Sequence, residues 1–471
     1  MSTAPNTPSS LSVPNSPSAP NTPSAPTSPS APNSSGAPNN LSAPNILSTT
    51  KTPNAARASG VRTAIVIGGG VAGPVVATAL HAAGIQATVY EAYPELGEGI
   101  GGSIALAPNG MAALDLIGAA DPLRALSTPI GHTRMNIDGK AMDIPGLADV
   151  EPLRLVGRGD LHRVLRDRAI EAGVRFEYGK RLTGATEQAD GVQARFADGA
   201  GATADVLIGA DGVRSTVRTL IDPNAPSADY TGLLSFQGYL DPAADLDCEP
   251  GLMVFAFGKR AYYLYGRLAD GRLTWGANLP SKTYMSLTEA RAVPAEQWLR
   301  KLRDTYRDDY PGGLFAERTT AETLDITGAI HIMPPVPHWH SARMVLVGDA
   351  VHAPSNSTGQ GASLAIESAL QLARCLRDVP ESAEAFAAYE ALRRERVERI
   401  TRRGARLNRT KTPGPVGRKV MHLTMPVLFR MMNFDKVMGW EQRYRIEWEA
   451  EVSSAVRSGR ASVRMGERAH R

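Results

Sequence analysis

The stretch that most constrains the chain runs from Val61 to Glu91, VRTAIVIGGGVAGPVVATALHAAGIQATVYE. Ala64 to Ile67 is a short apolar, β-branched run, the mark of a strand buried on both faces. Gly68, Gly70 and Gly73 then spell G-x-G-x-x-G, and Val75 to Ala83 is compatible with a helix that Gly84 ends. Ile85 to Tyr90 reads as a second strand, closed by Glu91. Strand, glycine loop, helix, strand and an acid about 20 residues past the loop are the parts of a dinucleotide-binding βαβ unit. Each part has a physical task. Gly68 permits the tight turn, Gly70 lets the backbone through Val71 and Ala72 approach a pyrophosphate, and Gly73 lets helix and strand pack closely. The helix N-terminus adds partial positive charge. Glu91 can accept hydrogen bonds from adenosine ribose hydroxyls and would repel a 2′-phosphate, so the bound dinucleotide is expected to be FAD or NAD rather than NADP.

A second G-x-G-x-x-G, at Gly97, Gly99 and Gly102, has no apolar strand before it and an extended run, Ser103 to Ala107, after it. It reads as a flexible loop with no phosphate to hold. Residues 1 to about 60 repeat Ala-Pro-Asn, Thr-Pro and Ser-Pro units, lack aromatic residues, and carry charge only at Lys51 and Arg57. Such a segment cannot offset its ordering entropy by burial and is expected to be a disordered tail. It has neither the apolar core of a secretory signal nor the arginine-studded helix of a transit peptide. At 471 residues the chain has room for two or three domains and a sizeable core. Two cysteines, Cys248 and Cys375, exclude a disulfide framework and a thiolate metal site, and point to a reducing, cytoplasmic setting. No window of about 18 uninterrupted apolar residues exists to span a membrane. The net charge of +4 implies no nucleic-acid partner.

Further along, a helix with Leu161, Val164, Leu165 and Ala169 on one face is expected after Arg158, with Asp160 as its N-cap. Ala204 to Ile208 is a buried strand running into Gly209-Ala210-Asp211-Gly212, and Met344 to Val347 is another, running into Gly348-Asp349. A long helix begins near Gly361, after Gly359-Gln360. The N–H groups of Gly361 and Ala362 at its start suit anionic charge. Between these strands, Leu233 to Ala277 is rich in Phe, Tyr and Leu and reads as antiparallel strands that cover something apolar. Tyr263 and Tyr265 share one face of a strand and Tyr262 takes the other. Gln237, Tyr263 and Tyr265 are the substrate-pocket candidates, with Gln237 and Asn278 as polar residues in otherwise apolar strands. His352 sits beside Asp349 and is read as a bystander, and His331, His338 and His340 lack the partners of a metal site. The methionine-rich stretch Val420 to Trp440 is read as packing against the enzyme.

GGGVAG at 68–73, GADGVRSTVR at 209–218 and GDAVHAPSNSTGQGAS at 348–363 stand in a fixed order. In that order they resemble the single-component FAD-dependent aromatic hydroxylases of the p-hydroxybenzoate hydroxylase-like fold, salicylate, kynurenine, urate and tetracycline-modifying monooxygenases among them. The resemblance runs from about Val61 to about Arg396. It implies an α/β fold in which a Rossmann-like FAD-binding domain (61–130, 156–228, 330–392) is interleaved with a mostly antiparallel substrate sheet (131–155, 229–329), followed by C-terminal helices (393–471). It also implies that Asp211-Gly212 touches FAD and the reduced nicotinamide, that Asp349 meets the ribityl chain, that Arg158 contacts FAD, and that the backbone of Leu182 meets adenine. Ala92 stands where many relatives carry a basic residue. The implied reaction is reduction of noncovalent FAD by NADH or NADPH, capture of O2 as a flavin C4a-hydroperoxide, and hydroxylation or epoxidation of an aromatic or polyketide-like small molecule, by a monomer or homodimer. Rival readings are a flavin halogenase, whose W-x-W-x-I-P motif is missing, a prenyl-chain reductase, or a flavin-holding protein without oxygenase activity.

Overall fold

A computed structural model describes residues 60–94, 102–137, 140–242, 248–409 and 433–452, with single positions 420, 424 and 431. The proline-rich tail, Gly97 and Gly99, and Met421, Met425 and Met432 lie outside the described residues.

Strand Thr63–Ile67 is the centre of a five-stranded sheet in which every pairing is parallel. Gln86–Tyr90 and then Arg175–Glu177 lie on one side of it, Val206–Gly209 and then Met344–Leu346 on the other. The three strands Met344–Leu346, Val206–Gly209 and Thr63–Ile67 are buried nearly throughout, as strands covered by helices on both faces must be. Because they are parallel and adjacent, their carboxyl ends emerge side by side. The loops that carry Gly68, Asp211 and Asp349 are therefore neighbours at one edge, although 281 residues separate the first from the last. Ligands of open α/β sheets bind at such an edge.

Helices Ala72–Ala82 and Gly361–Asp378 pack against each other beside this edge. A Cβ on Gly348 would stand 3.0 Å from Ala72 Cβ and 3.3 Å from Ala365 Cβ, so the third motif is wedged between the two helices.

The second large sheet has seven strands, ordered Leu324–Ile332, Asp229–Leu240, Leu273–Pro280, Tyr262–Arg267, Leu252–Phe257, His132–Ile137 and Lys140–Pro145. All its pairings are antiparallel except Leu252–Phe257 with His132–Ile137. Cross-strand register assigns side chains to faces. Phe236, Ala277, Tyr263 and Ala256 form one row, and with Trp275 and Tyr265 they pack under helices Ala295–Tyr306 and Gly312–Arg318. Gln237, Gly276, Leu264 and Phe255 form a row on the opposite face. That face is turned toward Ser103–Leu106, a strand of a small sheet completed by Leu153–Gly157 and Thr128–Ile130. The interleaved α/β organisation expected from the sequence is thus the one observed.

One local expectation shifts. The helix after the first arginine spans Arg158–Glu171 with Gly157 as N-cap, which places Asp160 inside the first turn rather than at the cap. There its charge still favours the helix dipole. At the C-terminal end, helix Ser382–Arg409 carries Arg396 and Arg399, whose guanidiniums stack on Tyr444 at 4.1 Å and Trp440 at 4.0 Å. These cation–π contacts hold residues 433–452 against the body of the fold.

Candidate active site

The glycine loop has the backbone its sequence demands. Gly68 has φ +106°, and a Cβ there would meet Ala210 O at 2.4 Å. A Cβ on Gly73 would lie 1.9 Å from Gly68 O, which is the close helix–strand approach expected of the third glycine. Around Gly70 there is no protein atom within 4 Å of an added Cβ, so this position faces open space. Glu91, 9 % exposed, accepts from Gly69 N–H at 2.6 Å and from Tyr93 N–H at 2.9 Å. It therefore fixes the loop as well as presenting an acid beside it. Val71 and Ala72 lead into the helix, and Leu182 is buried in the core.

Asp211 turns its carboxylate back onto its own loop. It accepts from Ser215 Oγ at 2.5 Å, Thr216 N–H at 2.7 Å and Val217 N–H at 3.1 Å. Burial pushes its carboxyl above the usual range, and these donors pull the other way. Gly212 follows with φ +76°. Arg218, 4 % exposed, donates to Val213 O and to Ala350 O, each at 2.9 Å. It ties the second motif to the third. Arg214 instead reaches out to Tyr284 Oη at 2.6 Å.

In the third motif, Gly348 and Gly359 have φ of +61° and +62°, and helix Gly361–Asp378 starts with no side-chain cap. The first-turn N–H groups at Gly361 and Ala362 thus lack a side-chain acceptor, with the helix dipole behind them. Asp349 is solvent-accessible, yet so enclosed by protein that burial raises its carboxyl, against the nearby Arg158 charge. Arg158 is exposed, and its backbone N–H donates to Gly102 O at 2.9 Å. A carboxylate and a guanidinium near enough for their charges to interact suit a ligand that carries both hydroxyls and phosphates.

His352 is 3 % exposed, bonds Ser368 Oγ through Nε2 at 2.9 Å, and is held by burial, with the Arg393 charge second, at a pKa of about 3. It is a neutral, packed ring. Residues the sequence reading passed over support the motif from behind. Asn109 donates to Gln360 Oε1 at 2.9 Å and to Glu367 Oε1 at 2.7 Å, and Glu367 pairs with Arg393 at 2.7 Å and Arg396 at 2.9 Å. The signal available was Pro108, a helix-starting proline just before Asn109.

The substrate-pocket candidates divide. Tyr263 and Tyr265, 2 % and 6 % exposed, lie under the helices, with ring centroids 5.3 Å from Tyr306 and 5.0 Å from Phe315 respectively. They belong to the core, which corrects the expectation that they line the pocket. The alternation was right, but the helices cover the face they occupy. Gln237 does lie on the opposite face, alongside Leu264 and Phe255. Its amide, however, is bonded to Ser103 and Thr274. Asn278, 3 % exposed on the same face, has a side-chain amide bonded to no group among the described residues. A cleft of about 660 Å³ opens beside Arg158, lined also by Gly102, Gly157, Tyr239, Leu268 and Arg272.

Residues 61–404 match the family model described as FAD binding domain. The chain belongs to this family. It is 31 % identical over 353 residues to the FAD-dependent urate hydroxylase of Klebsiella pneumoniae, spanning 71 % of this chain and 86 % of that one. It is 30 % identical over 363 residues to the 6-hydroxynicotinate 3-monooxygenase of Pseudomonas fluorescens, spanning 72 % and 89 %. The crystal structure of Klebsiella pneumoniae HpxO complexed with FAD and uric acid has the same fold, with a TM-score of 0.69 at 23 % identity over 80 % of this chain and 95 % of that one. The chain is an FAD-dependent hydroxylase of the aromatic monooxygenase kind. The residues present fit such a cofactor: Gly70 faces open space, the N–H groups of Gly361 and Ala362 have no side-chain cap, and the Arg158 charge acts on Asp349. Among the described residues, no helix is long and apolar enough to cross a membrane.

Proposed function

We propose that this hydroxylase takes two electrons from NADH or NADPH and inserts one atom of O2 into an aromatic small molecule, releasing the other as water. The balance is substrate C–H, NAD(P)H, H⁺ and O2 giving substrate C–OH, NAD(P)⁺ and H2O. The observation that carries this reading is the convergence of the Gly68, Asp211 and Asp349 loops at one sheet edge, with the Gln237 face of the second sheet bonded to Ser103, next to Gly102 on the cleft beside Arg158. Bound FAD supplies the electron transfer and the oxygen activation.

Each residue has a role in that frame. Gly68 and Gly73 set the turn and the helix–strand approach that would let Gly70 and the N–H groups of Val71 and Ala72 hold the pyrophosphate, and Glu91 would hold the ribose. Arg158 and Asp349 fix the ribityl end, and Gly348 lets the backbone turn there. Gly359 lets the chain turn into the Gly361–Asp378 helix, whose first N–H groups would stabilise negative charge on a bound flavin. Asp211 sets the loop toward which the nicotinamide approaches, and the backbone of Leu182 meets adenine. Leu264, Phe255 and the neighbouring Met253 exclude water from the reacting face, which keeps reducing equivalents from escaping as peroxide. The amide of Asn278, bonded to no group among the described residues, is the group on that face that reads a hydrogen-bonding edge of the substrate. With two buried, unbridged cysteines, the reaction suits a reducing compartment such as the cytoplasm.

The test is NADH and NADPH oxidation by the FAD-loaded protein against a panel of hydroxylated benzoates, pyridines and purines, with peroxide measured alongside. Ligand-stimulated oxidation with a hydroxylated product supports the proposal. Oxidation that no ligand stimulates, or that yields peroxide alone across the panel, overturns it.

A further inference from the structure

Gln237 stands where a substrate contact was expected, but its hydrogen-bonding groups point elsewhere. The side chain is 8 % exposed. Its Oε1 accepts from Ser103 N–H at 2.8 Å, and its Nε2 donates to Thr274 Oγ1 at 2.7 Å and to Ser103 Oγ. Ser103 Oγ and Thr274 Oγ1 share a further hydrogen bond at 3.3 Å. Both amide protons are engaged and the carbonyl has a backbone partner, so the amide closes a small polar ring between two sheets. Such a fully satisfied buried network rigidifies what it joins.

What it joins is the segment leading into the cofactor groove. Gly102 has φ +64°, and a Cβ there would lie 1.8 Å from Gln237 Oε1. A side chain at 102 is thus excluded by backbone conformation and by the clamp together. On its other side this segment meets the strand Leu153–Gly157. Ser103 pairs with Gly157, and Gly102 O accepts the backbone N–H of Arg158 at 2.9 Å. The Gly102-Ser103 peptide is therefore held between the Gln237 amide and Arg158, which lines the cleft and whose charge acts on Asp349.

We propose that Gln237 is a positioning residue for the flavin cofactor. It fixes Gly102 and Ser103 against the substrate sheet and, through the Gly102 carbonyl, sets where Arg158 starts its helix and aims its guanidinium. This rests on the reading of Arg158 and Asp349 as the groove that holds FAD. It also gives the sheet a second task. The strand that borders the substrate face sets cofactor geometry through an amide that touches neither ligand.

The test reads hydrogen–deuterium exchange at the Ser103 N–H and the FAD dissociation constant, measured by flavin fluorescence on apoprotein titrated with FAD. In Gln237→Leu the Ser103 proton should exchange at least about tenfold faster, and the FAD dissociation constant should rise by up to about tenfold. Thr274→Val removes one anchor of the amide and the Thr274 contact to Ser103 Oγ while leaving the Ser103 N–H bond to Gln237 Oε1 in place, and should shift both readouts in the same direction by a smaller factor. Thr274→Ser keeps the hydroxyl and should restore both to within about twofold of the unaltered protein. Should Gln237→Leu fail to fold, the Thr274 pair carries the test alone. Unaltered Ser103 protection and FAD affinity in a folded Gln237→Leu or Thr274→Val protein overturns the proposal, as does a Thr274→Ser protein no better than Thr274→Val. Neither readout requires turnover. A protein that follows this pattern yet shows no ligand-stimulated NAD(P)H oxidation sinks the oxygenase reading and leaves the clamp standing.

Discussion

Glu367→Gln should be among the most damaging single-atom changes in this chain. Glu367 has no exposed surface and lies 2.7 Å from Arg393, also fully buried, and 2.9 Å from Arg396. Burial alone would raise its carboxyl. The Arg396 and Arg393 charges, with hydrogen bonds from Arg396 and Asn109, outweigh that and hold the pKa at about 2, against an ordinary 4.5. A depression of this size corresponds to about 3 kcal/mol of stability at neutral pH. Removing one partner of a buried ion pair costs about 3–5 kcal/mol in general, because the other charge is left uncompensated. The sign follows from the depressed pKa: the carboxylate's contribution is complete above pH 4.5 and is lost as pH falls from there toward 2. Equilibrium urea unfolding followed by tryptophan fluorescence should show a gap of about 3–5 kcal/mol at pH 7. That gap should narrow between pH 4.5 and pH 3. FAD affinity should fall with it, since a neutral amide leaves Arg393 and Arg396 unbalanced and loosens the Asn109–Gln360 contact behind the third motif. A gap under about 1 kcal/mol at pH 7, or one that stays constant down to pH 3, would refute the reasoning.

Gly70→Ala should fold normally and bind FAD poorly, because its Cβ enters space that only a ligand fills, whereas Gly73→Ala should lose folded protein, its Cβ falling 1.9 Å from a backbone oxygen; circular dichroism and flavin content separate the two. Asp349→Ala should lose flavin at roughly 1–3 kcal/mol through an unpaired ribityl hydroxyl, and equilibrium dialysis of FAD checks it. For His352, whose pKa of about 3 lies below the ordinary 6.5, stability is complete above pH 6.5 and falls as pH drops through the window to 3. His352→Gln should abolish that slope in urea titrations while leaving the pH profile of turnover unchanged. Tyr265→Ala should cost about 3–5 kcal/mol from the core, with the product-to-peroxide ratio unaltered at low temperature.

The βαβ unit was legible in the sequence because its requirements are local. Gly68 needs a positive φ, Gly73 needs a missing Cβ, and both needs are written within six residues. The three motif loops could be matched to buried strands for the same reason. What the sequence left open was which strand faces were covered. Alternation put Tyr263 and Tyr265 together and Gln237 in a strand of mixed polarity, but only helices Ala295–Tyr306 and Gly312–Arg318 decide that the tyrosines are core. The roles of Gln237 and Asn109 were hidden by distance. Ser103 is 134 residues from Gln237, and Glu367 is 258 from Asn109, so no local pattern links them.

The most direct test of the account is an anaerobic stopped-flow titration of the FAD-loaded protein with NADH or NADPH, followed by ¹⁸O2 and product analysis for any ring compound that accelerates flavin bleaching. The account predicts that some compound in the panel of benzoates, pyridines and purines speeds reduction, and that its hydroxylated product carries one ¹⁸O atom per NAD(P)H consumed. Flavin that neither nicotinamide reduces with any panel compound present, or a product whose added oxygen comes from water, would contradict it.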